Sequence, residues 1–136
     1  MAKKTYHLTV IGEPVPWTVY TKRGEPPPGF ERMQVYQELI RAEIINRRLP
    51  KLKGPVKLTF LFDRSTPEEH IADSQWLEKA IITRGKGDLS DYIKAAEDAL
   101  KGLLFKDDSQ VVAIEATKSY SGEKEGITFI TIEALD

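Results

Sequence analysis

Apolar residues recur at helical period most clearly between positions 89 and 103. Leu89, Ile93, Ala96, Leu100 and Leu103 fall at i, i+4, i+7, i+11 and i+14, the stripe of an amphipathic helix. Asp88 stands just before the first apolar position, where an N-cap belongs, and Gly102 sits where a helix stop is expected. At about 100° per residue, Ser90, Lys94, Glu97 and Lys101 share one flank of that stripe, while Asp91 and Asp98 point away from it. A second helix is predicted over Phe30–Leu49, with Val35, Leu39, Ala42, Ile45 and Leu49 on its inward face. Pro50 ends it and Gly54-Pro55 turns the chain. Thr66-Pro67-Glu68-Glu69 reads as the start of a third helix, capped and acidic in its first turn. Ile71, Leu77 and Ile81 form its apolar side, with Trp76 at the edge.

Four segments carry strand patterns: Thr5–Ile11, Val56–Asp63, Gln110–Tyr120 and Ile127–Ala134. The second is the more apolar and belongs at the centre of a sheet. The last two are joined by the polar turn Gly122–Gly126, and such a pair predicts an antiparallel hairpin. Strands and helices do not alternate strictly. The expectation is therefore an α+β single domain: a mixed sheet of about four strands with a C-terminal β-hairpin and two to three packed helices. A doubly wound nucleotide-binding fold is disfavoured, because no Gly-rich βα turn is present and Gly85-Lys86-Gly87-Asp88 lacks the P-loop spacing.

Composition narrows the classes further. With 136 residues, 40% hydrophobic and 30% charged, the chain has the make-up of one globular domain rather than a disordered one. No cysteine is present, which excludes disulfides, thiolate nucleophiles and cysteine zinc sites. His7 and His70 are isolated in sequence and make no histidine-rich metal motif. Met1 to Lys4 leads into a strand with no signal-peptide core, and no apolar run approaches membrane-spanning length. No membrane association and a cytoplasmic setting, bacterial or phage-encoded, are expected. Net charge is −1, yet residues 1–57 hold 11 Lys/Arg against 5 Asp/Glu, and residues 58–136 hold 9 against 16. A basic surface beside an acidic site fits that asymmetry.

The acids cluster around the first helix. Asp88 and Asp91 lie at its start, and Asp107-Asp108 follow its glycine stop. Mg²⁺ takes few protein oxygens, keeps several waters and accepts substrate phosphate as a further ligand; a nearby lysine adds charge toward a leaving oxygen. The same residues also suit an ordinary cap, an ion-paired face with Asp91 and Asp98 around Lys94, and a polar turn. Positive charge lies at three places. The proline-rich loop Gly12–Gly29 carries Trp17, Tyr20, Lys22 and Arg23; the predicted Phe30–Leu49 helix carries Arg32, Arg41, Arg47 and Arg48, continued by Lys51 and Lys53; Arg84 and Lys86 precede the acid cluster. Lys22, Arg23, Arg41, Arg47, Arg48, Arg84 and Lys86 are the candidate nucleic-acid contacts.

The motif resembles the signature of RusA-type Holliday junction resolvases. Asp88, Leu89, Lys94, Asp98-Ala99-Leu100, Gly102 and Asp107-Asp108-Ser109-Gln110-Val111 match it at the same spacing, and Gly12-Glu13-Pro14-Val15-Pro16 resembles the family's opening segment. The resemblance implies that residues 1–136 form a single RusA-like endonuclease domain. It implies a Mg²⁺-dependent, structure-selective endodeoxyribonuclease that resolves four-way DNA junctions as a homodimer. By position, Asp88 and Asp108 match catalytic acids and Lys94 the catalytic lysine, with Asp88, Asp91 and Asp108 as metal ligands. One departure stands out: a family acid falls on Ser90. Asp91 and Glu97 are the candidates to replace it, Asp91 being nearer along the axis. Two alternatives follow from the departure and from the ordinary readings: an impaired relative that binds branched DNA without cutting, and an interaction domain with no nucleic-acid role.

Overall fold

A computed structural model describes residues 4–18, 24, 29–83, 88–120 and 122–135. Four strands, β1 (Lys4–Ile11), β2 (Val56–Arg64), β3 (Val111–Tyr120) and β4 (Ile127–Ala134), form one mixed sheet in the order β1-β4-β2-β3. Three α-helices accompany it: α1 (Phe30–Asn46), α2 (Ser74–Thr83) and α3 (Leu89–Leu100). The expected α+β class and four-strand mixed sheet are what the structure has.

The expected hairpin is a different matter. β3 and β4 follow one another in the chain but do not pair. β4 inserts antiparallel between β1 and β2, and β3 runs parallel to β2 as an edge strand. Burial explains the choice. Thr128, Ile130, Ile132 and Ala134 of β4 are all buried, as are Val56, Leu58, Phe60 and Phe62 of β2. No residue of β3 is fully buried, so it belongs at an edge, where one side of its backbone is left unpaired. A parallel β2–β3 pair needs a long crossover, and α2 and α3 provide it.

α1 and α3 pack on one face of the sheet. Tyr36, Ile40 and Ile44 of α1 meet Tyr92, Ala96, Ala99 and Leu100 of α3 over Leu8, Val10, Leu58, Phe60, Ile130 and Ile132. The three alanines of α3 let that helix sit close to its neighbour.

The inward face of α1 departs from expectation. Val35 and Ile45 are 57% and 62% exposed, and Leu39 is 41% exposed, whereas Met33, Tyr36, Gln37, Ile40 and Ile44 are buried. The helix is turned about one residue, roughly 100°, from the face that apolar counting selects. Polar partners decide it. The Tyr36 hydroxyl lies 2.6 Å from Thr128 Oγ1. Gln37 Nε2 donates to Ala95 O at 3.0 Å and to Asp98 Oδ2 at 3.1 Å. Those satisfied groups make a buried tyrosine and glutamine acceptable at the centre of the contact. The helix also ends three residues early, at Asn46 rather than Leu49.

The segment after β2 forms two pieces rather than one helix. Glu68–His70 is a single 3₁₀ turn, and α2 starts only at Ser74, where Asp73 Oδ1 accepts the Trp76 N–H at 3.1 Å. Asp73 therefore takes the capping position expected at Thr66. Trp76 stacks on His70 with ring centroids 4.4 Å apart, and its edge meets Tyr120 at 5.3 Å.

The two faces of α1 give a direct stability test. Ile40→Ala is expected to cost about 2–5 kcal/mol in urea unfolding, and Val35→Ala to change stability by no more than about 0.5 kcal/mol.

Candidate active site

The site is built along α3 and the turn that follows it. At its N-terminal end Asp88 and Asp91 form a capping box, and Asp91 Oδ2 accepts the Asp88 N–H at 3.1 Å. The N-cap assignment for Asp88 is therefore correct, and Gly102 stops the helix with φ 93°.

The opening segment docks on this end. Gly12 N donates to Gly126 O at 2.9 Å, and Trp17 N donates to Asp91 O at 2.9 Å. A Cβ on Gly126 would lie 2.6 Å from Glu13 Oε2 and 2.9 Å from Glu13 Cα, so this close approach requires glycine there. Trp17 is thereby laid beside α3, and the Lys94 ammonium stands 4.8 Å from the centre of its ring. This cation–π contact favours one position for an otherwise free side chain. A cavity of about 360 Å³ opens beside the same indole, lined by Glu13, Pro16, Trp17, Arg32, Arg64 and Tyr92 among others.

At the other end of α3 the groups differ. Lys101 Nζ lies 3.3 Å from Asp108 Oδ2. Glu97 is half-buried, and its carboxyl titrates above the ordinary value: burial is the first cause, the negative charge of Asp108 the second, and Lys101 opposes both. Asp108 thus belongs with Glu97 and Lys101. Asp88 and Glu97 are nine residues apart, about 13 Å along the axis at 1.5 Å per residue. Within one chain the acids form two pairs, and no group of three or more metal-ligating side chains converges among the described residues.

One side chain holds the second pair in place. Gln110 Oε1 accepts the backbone N–H of Lys106 at 2.9 Å and of Asp107 at 3.1 Å. Its Nε2 donates to Leu52 O at 2.9 Å and to Gly54 O at 3.0 Å. The Asp107-Asp108 turn and the loop after α1 are therefore clamped together, with Leu52 N donating to Leu104 O at 2.7 Å. Pattern reading missed this. Gln110 stands in the matched Asp107–Val111 motif, but two of its four partners, Leu52 and Gly54, lie more than 50 residues away and no local pattern points to them.

The basic candidates divide. Arg41 lies 3.9 Å from Asp98, and Arg47 lies 3.1 Å from Glu43. Arg48 is exposed and has no side-chain ion pair or hydrogen bond among the described residues. Lys22, Arg23, Arg84 and Lys86 lie outside the described residues.

Carboxylates and ammonium groups thus share this flank of α3, an arrangement compatible with phosphodiester chemistry. Comparison with known proteins gives the family. Residues 19–133 match the family described as endodeoxyribonuclease RusA. The chain is also 30% identical over 131 residues to the uncharacterized protein YqaN of Bacillus subtilis (strain 168), a match covering 85% of this chain and 88% of that one. The chain belongs to the RusA endodeoxyribonuclease family, whose resolvases are metal-dependent nucleases of Holliday junctions.

The Glu97 environment yields a pH prediction. A carboxyl whose folded-state pKa is raised contributes stability that is fully present below its unfolded pKa and is lost as pH rises through the folded value. Glu97→Gln should therefore raise the thermal unfolding midpoint at neutral pH and match the parent below about pH 4, where both side chains are uncharged. Melting curves at the two pH values check it.

Proposed function

We propose that this protein is a Mg²⁺-dependent, structure-selective endodeoxyribonuclease that cuts four-way DNA junctions as a homodimer, in a bacterial or phage-encoded cytoplasmic setting. The observation that carries the reading is the flank of α3: family-matched Asp88, Lys94 and Asp108, joined by Glu97, all border one helix inside a RusA-family domain.

The donor set fits a hard divalent cation. Mg²⁺ takes one or two carboxylates and completes its shell with water and substrate phosphate. Glu97 and Asp108 offer such a pair: Glu97 titrates high first because it is half-buried and second because of the Asp108 charge, and a bound cation would offset that second contribution. Asp88 and Asp91 form the second pair, but each already accepts a backbone N–H of the capping box. Glu97 therefore takes over the charge lost at Ser90 beside Asp108, while Asp91 serves Asp88. A bound Mg²⁺ would supply Lewis-acid charge at the phosphate oxygens and an acidified water.

The chain's own residues do the rest. Lys94 presents an ammonium on the same flank, held against Trp17. It stabilises the charge that develops on the leaving 3′-oxygen, or donates a proton to it. Lys101 balances Asp108 until substrate arrives. A twofold dimer would set two such sites against opposite strands of a junction with matching symmetry.

The test is cleavage of a synthetic four-way junction with and without Mg²⁺. Metal-dependent nicking of opposed strands is the expected result, and an intact junction under both conditions would refute the reading. Lys94→Ala is predicted to bind the junction within about twofold of the parent and to cut it about 100-fold more slowly or worse. Single-turnover kinetics separates the two effects.

A further inference from the structure

Several cations among the described residues already have acidic partners. Arg41 faces Asp98, Arg47 faces Glu43, Lys57 lies 2.9 Å from Glu115, Arg64 lies 3.6 Å from Glu13, and Lys124 lies 2.9 Å from Glu68. The basic outer face of α1 is thus partly neutralised from within. Four cations around the Gln110 clamp are different. Arg48, Lys51, Lys53 and Lys106 are all exposed, and none makes a side-chain ion pair or hydrogen bond among the described residues.

The clamp brings them together from two distant segments. Lys51 and Lys53 flank Leu52, which forms a bridge with Phe105, and Lys106 follows Phe105 directly. Gln110 then fixes the carbonyls of Leu52 and Gly54 against the N–H of Lys106 and Asp107. Leu52 packs on the core and Phe105 is fully buried, so the two segments are anchored and the lysines between them stand on a fixed base. Arg48 adds a separate sign of use. Its φ is 54°, in the left-handed region just past the end of α1, where glycine is the relaxed choice. The arginine at that strained position adds one more exposed charge three residues before Lys51.

We propose that Arg48, Lys51, Lys53 and Lys106 form a platform for the sugar–phosphate backbone of a duplex arm, immediately beside Asp108. This rests on the nuclease reading above and locates its DNA grip. A phosphate-contacting cation is most useful when no internal carboxylate must be displaced first, and this group meets that condition where Arg41 and Arg47 do not. Backbone contacts of this kind carry no base information. The platform therefore holds and orients the arm, and selection of the branched structure lies elsewhere.

The experiment is fluorescence anisotropy with a labelled four-way junction and a linear duplex over a range of salt, using full-length protein without Mg²⁺. The triple variant Lys51→Glu, Lys53→Glu, Lys106→Glu is expected to lose about 10- to 100-fold in affinity near 0.1 M salt and about three units of the log–log salt slope. Arg48→Gly relieves the left-handed backbone, so its melting temperature should equal or exceed the parent's while its affinity falls about threefold or more. That combination excludes misfolding as the cause. Lys124→Glu, on a distant ion pair, serves as the charge control and should stay within about twofold. Parental affinity in the triple variant overturns the platform, as does a loss confined to Arg41→Gln and Arg47→Gln variants. A parent protein that binds neither DNA overturns the nuclease reading itself.

Discussion

The placement of Asp108 and of the lysines beside it depends on the four hydrogen bonds of one glutamine. Gln110 has a single amide, and the structure uses both ends of it: two backbone donors on its oxygen, two backbone acceptors on its nitrogen. Each bond alone contributes about 1 kcal/mol. Their value lies in joining two loops more than 50 residues apart at a fixed distance from α3. Asp108 is set against Lys101 and Glu97 by this means, and Lys51 and Lys53 are set beside Asp108 by the same contacts. A glycine at the end of α3 and a tight approach at Gly126 complete the frame.

Local signals are legible in this sequence and long-range ones are not, for definite reasons. The Asp88 cap, the Gly102 stop and the span of α3 are decided by neighbours within four residues, so periodicity and cap chemistry suffice. The face of α1 is decided by Thr128, Ala95 and Asp98, which lie on other elements. Counting apolar positions therefore chose Val35 and Ile45 over Tyr36 and Gln37, and chose wrongly. The pairing of β4 with β1 and β2 follows from which strands can be buried on the helix-covered face. Proximity in the chain favoured a hairpin, and the more complete burial of β4 outweighed it.

The candidate site shows the same division. Asp88, Lys94, Glu97 and Asp108 were all visible as residues, but their grouping was not. Counting along the helix places Asp91 nearer than Glu97 to Ser90 along the axis. It does not reveal that the turn after Gly102 brings the charge of Asp108 to bear on Glu97 and Lys101. Charge statistics behaved likewise. The basic excess of residues 1–57 is real, yet Arg41, Arg47 and Lys57 are matched by acids within the fold, two of them contributed by the acidic half. Among the described residues, the cations left without an internal acid include the four at the clamp.

The proposed metal site is the Glu97–Asp108 pair beside the Gln110 clamp. Paramagnetic broadening of the backbone amide spectrum by Mn²⁺, a substitute for Mg²⁺ with the same oxygen preference, tests it most directly. A cation held there should give the earliest signal loss at Glu97 and at Asp107 to Ser109, reversed by excess Mg²⁺. Broadening confined to the Asp88–Asp91 cap, or spread evenly over all exposed acids, would contradict it.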